Sequence, residues 1–99
     1  MKVRFSPRAQ RRVKIVAKWW RENRPAAPTL FDDELHAAIE RLKRQPTLGL
    51  EHDIVDSKIV RRILLATSAQ HVYYVVDEER GIIVIYTVWG ARRERTPKL

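Results

Sequence analysis

Three apolar runs fill the second half of the chain, and they leave little choice of architecture. Ile59–Thr67, Gln70–Asp77 and Ile82–Trp89 are rich in Val, Ile and Tyr and are separated by short polar connections. Such residues suit a pleated, half-buried surface, so the pattern predicts three consecutive antiparallel strands. Glu78-Glu79-Arg80-Gly81 reads as a hairpin turn in which Gly81 supplies the positive φ. Ala66–Ala69 is a second tight connection, and the run ends in the basic segment Ala91-Arg92-Arg93-Glu94-Arg95.

The first half carries a different period. Lys2–Ser6 alternates, with Val3 and Phe5 on one face of a short strand. Ser6-Pro7 is a helix start, because Ser caps free N–H groups and Pro at the first helical position loses no hydrogen bond. Ala9, Val13, Val16, Ala17 and Trp20 then form one apolar stripe, widened by Ile15 and Trp19, and Asn23-Arg24-Pro25 ends it. A second helix opens at Pro28-Thr29, where Thr29 and Asp32 resemble a capping box. Its stripe is Phe31, Leu35, Ala38, Ile39 and Leu42, with acids in the first turn, bases in the last and Pro46 as the stop. The short link Arg24–Pro28 predicts a helical hairpin. Leu48–Lys58, with Gly49 and the charges of Glu51, His52, Asp53 and Asp56, reads as a loop. The expected class is therefore α+β, in the order β-α-α-β-β-β, with the hairpin on one face of a small antiparallel sheet and residues 1–99 as one domain.

Composition narrows the function classes. A chain of 99 residues holds one core. Cys is absent, which excludes disulfides and thiolate metal sites and suits a reducing compartment. No apolar run reaches membrane-spanning length or forms a signal peptide, so a cytoplasmic protein is expected. Twenty Lys and Arg against 12 Asp and Glu give a formal charge of +8, which favours encounter with nucleic acid, a ribonucleoprotein or an acidic protein segment.

No phosphate loop, nucleophile elbow or zinc spacing is present, and no cofactor is expected. His36 reads as a solvated helix residue, and His52 as a loop residue beside Glu51 and Asp53. His71, Tyr73 and Val75 share one face of their strand, and Val72, Tyr74 and Val76 share the other, which is the better core face. On the preceding strand Ile63 and Leu65 should face the helices, leaving Arg62 and Leu64 on the open face with His71 and Tyr73. An Arg, a His and a Tyr there could bind phosphate, stack a base or move a proton; they could equally be solvated strand residues. Trp19 and Trp20 read as core and core margin. Trp89 is either a partner anchor or sheet-edge packing, and Arg92, Arg93 and Arg95 form a short basic run.

Over nearly its whole length the chain resembles the RelE/ParE superfamily of bacterial type II toxins. The resemblance rests on Val3-Arg4-Phe5-Ser6-Pro7, Trp19-Trp20-Arg21-Glu22-Asn23-Arg24-Pro25, Leu30-Phe31-Asp32-Asp33-Glu34-Leu35, Gln45-Pro46-Thr47-Leu48-Gly49, Val60-Arg61-Arg62-Ile63-Leu64-Leu65, His71-Val72-Tyr73-Tyr74-Val75-Val76-Asp77 and Trp89-Gly90-Ala91-Arg92-Arg93. It implies a first strand beside the last, a cognate antitoxin, a toxin–antitoxin hetero-oligomer and one of two targets. RelE-like members cleave mRNA on the ribosome, and for that chemistry the matching positions are Arg62, His71, Tyr73 and Arg92. ParE-like members inhibit DNA gyrase. Here Leu64 stands where a RelE-like cation is expected, Gly90 where many relatives carry His, and Glu94–Leu99 holds neither Tyr nor His. The resemblance therefore leans to the ParE side, with Arg61, Arg62, Trp89, Arg92 and Arg93 as target-binding candidates. Leu64, His71, Tyr73 and Val75 are the antitoxin-binding candidates. A small basic RNA-binding module with a sheet platform is the reading outside the toxin class.

Overall fold

The computed structural model describes residues 1–99. A short first strand, β1 (Lys2–Phe5), leads directly into helix α1 (Pro7–Asn23) through Ser6. The Ser6 hydroxyl accepts from the Ala9 N–H at 3.0 Å and donates to the Tyr86 carbonyl at 2.9 Å, so one side chain caps the helix and ties it to the last strand. Helix α2 (Leu30–Arg44) follows, then β2 (Leu50–Val55), β3 (Lys58–Leu65), β4 (Gln70–Asp77) and β5 (Ile82–Gly90). The five strands run in the order β1-β5-β4-β3-β2. β1 pairs with β5 in parallel, and every other pairing is antiparallel.

The main core lies between the helices and one sheet face. From α2 it takes Phe31, Leu35, Ala38, Ile39 and Leu42, all buried. From α1 it takes Ala9, Val16 and Ala17, with Val13 and Trp20 packed at its margin. The sheet supplies Leu65, Val72, Tyr74, Ile83, Ile85 and Val88. Burying side chains of this size is worth roughly 1.5–3 kcal/mol each, which is why the stripes rather than propensity fix the helices. Gly81 (φ 65°) turns the β4–β5 hairpin, and Ala69 (φ 56°) turns β3 into β4.

Three expectations are corrected. The segment read as a loop contains β2, so the sheet has five strands rather than four and the order is β-α-α-β-β-β-β. A bulge between Glu51 and Asp53 makes His52 the extra residue and breaks the two-residue alternation that marks a strand. The turn that follows places Asp56 and Ser57 at φ 50° and 65°, without the glycine that usually advertises such a hairpin. Second, Thr29 makes no side-chain cap; its hydroxyl donates to the Asp33 carboxylate at 3.1 Å instead. Third, Ile15 and Trp19 do not widen the buried stripe of α1: they are 55% and 45% exposed.

Candidate functional site

The face of the sheet turned away from the helices is not open. Val60, Tyr73 and Val75 form a second small core there, with Val55, Tyr86, Trp89 and Leu99 packed against it. The cover is the C-terminal segment. It turns back after β5, buries Pro97 and seats Leu99 on the sheet. Two hydrogen bonds hold it: the Trp89 indole donates to the Arg95 carbonyl at 2.9 Å, and the Arg8 guanidinium donates to the Lys98 carbonyl.

Around this patch the structure gathers four chemically versatile side chains. Tyr73 lies at the centre and is 1% exposed. The Arg62 guanidinium reaches its hydroxyl at 3.5 Å. His71 meets its ring edge-on with centroids 6.0 Å apart, and His52 does the same at 5.0 Å. His52 is the extra residue of the bulge that hid β2 from the sequence. Burial, then Arg62, then His52 push the His71 pKa below the usual histidine range, which favours the uncharged imidazole.

A second concentration of charge lies at the end of β5. The Trp89 ring carries the Arg93 guanidinium at 4.2 Å and that of Arg12 at 5.7 Å. Arg12 also points its Nε at the Val88 carbonyl, 3.4 Å away. Burial first, then Arg93 and Arg8, pull the Arg12 pKa below the ordinary arginine value. Arg92 and Arg93 line a cavity between α1 and the end of the sheet, along with Trp19 and Trp20.

A third feature is a groove of about 460 Å³ between α2 and β3, lined by Ala37, Arg41, Leu50, Arg62 and Leu64. Leu50 and Leu64 are 74% and 56% exposed.

Measured against the sequence reading, Arg62, His71 and Tyr73 do come together. Arg92 does not join them, since it lines the cavity on the α1 side. Tyr73 and Val75 share the expected face, yet neither is free for a partner; the chain's own C-terminal segment helps bury both. Leu64 is exposed as expected. Arg61 is engaged at home, donating to the Gly49 carbonyl at 3.0 Å and lying 3.8 Å from the Glu51 carboxylate. Trp89 and Arg93 act as one stacked unit. The sequence reading missed the place of His52, which lies in the bulge, and of Arg12, one of several basic residues on α1.

A helical hairpin on a five-stranded sheet with a strongly cationic end defines a small basic α+β protein. The family model for the ParE toxin of the type II toxin-antitoxin system, parDE, matches residues 3–95, and the chain belongs to that family. It is thus a toxin of a type II toxin–antitoxin module, and the family implies an antitoxin partner. No curated protein matches the chain at a level that marks it as a relative. No helix is long and apolar enough to cross a membrane.

Proposed function

We propose that this toxin arrests growth by poisoning DNA gyrase in the cytoplasm, and that a cognate antitoxin silences it in a toxin–antitoxin hetero-oligomer. The observation that supports gyrase over RNA cleavage is the enclosure of Tyr73, which is 1% exposed. Cleaving RNA requires a proton-transfer group that reaches the substrate, with cations placed for the developing phosphorane charge. Here the phenol is covered, Arg92 lines the cavity on the α1 side, and Glu94–Leu99 supplies no Tyr or His. The cationic end around Arg92 and Arg93 is the target-binding surface. The antitoxin covers the groove at Leu50 and Leu64 with a segment that is partly acidic, complementing the charge of +8.

One arrangement favours a second reading, ribosome-dependent mRNA cleavage: His52, His71 and Arg62 surround Tyr73. Two assays on one preparation separate the readings, gyrase supercoiling and mRNA cleavage on programmed ribosomes. The expected result is lost supercoiling or trapped gyrase–DNA cleavage complexes with intact mRNA. Replacing Arg92 and Arg93 together by Ala removes toxicity and costs less than about 1 kcal/mol of stability, the scale of an exposed cation–π contact. Codon-dependent cuts that vanish in His71→Ala or Arg62→Ala, with gyrase unaffected, would establish the ribonuclease instead.

A further inference from the structure

The cavity between α1, the β3–β4 turn and the end of β5 has a volume of about 640 Å³. That is the size of a site for a small organic ligand or one unit of a polymer. Its lining combines three features. Arg12, Arg24, Arg92 and Arg93 surround it, no Asp or Glu lines it, and none of the four is in an ion pair. Trp19 and Trp20 form an aromatic wall, set edge-to-face at 5.6 Å, with Arg24 over the Trp19 ring at 5.2 Å. Gln70 Oε1 is buried without a hydrogen-bond partner, and Gln70 lines the same cavity.

Each feature is costly in isolation. Guanidiniums crowded without carboxylates repel one another, and Arg12 is partly desolvated as well. A Trp 45% exposed on a helix contributes little to the core. An unpaired buried carbonyl oxygen forfeits its hydrogen bonding to water. A single class of ligand relieves all three: a polyanion whose repeat also carries a flat ring with N–H groups on its edge.

We propose that this cavity binds a single-stranded nucleic-acid segment, with one base stacked on Trp19, its edge N–H donating to Gln70 Oε1, and the flanking phosphates held by Arg12, Arg24, Arg92 and Arg93. An acidic peptide satisfies the cations but brings no ring in register with its charges. A duplex keeps its bases stacked on each other and cannot offer one to the indole. The inference stands on this geometry whether the toxin's target is gyrase or the ribosome.

The test is titration of the full-length purified chain into fluorescein-labelled oligodeoxyadenosine and oligodeoxythymidine 12-mers. Anisotropy and intrinsic Trp fluorescence are followed at low and at physiological salt. Binding should quench Trp fluorescence and weaken with salt. Trp19→Ala and Arg24→Gln should each weaken it about tenfold, the order expected for one stacked base or one stacked cation. Arg80→Gln, which removes the same charge at the far end of the β4–β5 hairpin, should change it less than about threefold. Both test residues are exposed, and a thermal melt of each variant verifies the fold. Equal loss in Arg80→Gln and Arg24→Gln, or binding without Trp quenching, would overturn the proposal as diffuse charge attraction. So would a polyglutamate peptide that binds tighter than the oligonucleotides and displaces them, which would make the cavity an acidic-protein site. Because the readout is direct binding, the proposal can fail while gyrase inhibition survives, and the reverse.

Discussion

Gly49 shows how tightly single residues are specified. Its N–H donates to the Tyr74 hydroxyl at 2.8 Å, and that hydroxyl donates in turn to the Pro46 carbonyl at 2.8 Å. A Cβ at position 49 would lie 2.7 Å from the Tyr74 hydroxyl and 2.9 Å from the Arg62 carbonyl, inside contact distance of a buried ring and a strand backbone. Gly49→Ala should therefore destabilise the fold by roughly 1–3 kcal/mol, the range for overpacking a filled site, as read from urea midpoints at constant m. An effect near zero would mean that the Pro46–Gly49 segment moves freely. Glu34 ties the start of α2 to the β3–β4 turn: its carboxylate accepts from the Thr67 and Ser68 N–H groups at 2.9 Å each and from the Ser68 hydroxyl. Burial alone would raise its pKa, but the Ser68 and Thr67 donors together outweigh it and hold it below the usual carboxylate range. The ionised form thus stabilises the fold above the ordinary unfolded value, about 4.3, and that contribution disappears as pH falls through the lower folded value. Glu34→Ala should cost about 1–2 kcal/mol at pH 7, discounted for its partial exposure. The gap to the unsubstituted protein should narrow as the pH falls below the ordinary carboxylate range; a gap independent of pH would show that charge plays no part.

At the scale of elements, α2 gives the main core more buried side chains than α1 does, five on one stripe against three. Leu35 sits in the middle of that stripe at 7% exposure. Leu35→Ala should lower stability by roughly 2–4 kcal/mol, lost transfer energy plus the cavity left behind. A loss below about 1 kcal/mol would mean the main core does not close around α2. The strand β2 behaves differently. It is an edge, its side chains Leu50 and Ile54 are 74% and 70% exposed, and a bulge interrupts its pairing. An edge with both faces wet carries no alternating pattern, which is the physical reason it was invisible in the residue order while β4, buried on both faces, was plain.

For the molecule as a whole, the decisive element is the C-terminal segment, which gives the sheet its second cover. Deleting Pro97–Leu99 should expose Tyr73 and Val75, lower the melting temperature and make the truncated chain bind a hydrophobic dye. Unchanged dye binding with an unchanged melting temperature would mean that Leu99 adds nothing to the small core. The residue order by itself determined both helices, the three long strands, the two tight turns and the buried stripes, because each of these is a local periodicity with a strong burial signal. It also determined which residues of β4 share a face, since side chains alternate whatever the sheet does. Only the tertiary structure decided what lies over that face. Leu99 reaches the small core of Val60, Tyr73 and Val75 across a large separation in sequence, and no local pattern encodes where a short polar segment will fold back. The same holds for the cationic site. Arg12 and Arg93 meet on one indole only because α1 runs beside the end of β5, where β1 has already stopped. Long-range packing of this kind is set by the shape of the whole core, so the chemistry that depends on it became legible only when the chain was folded.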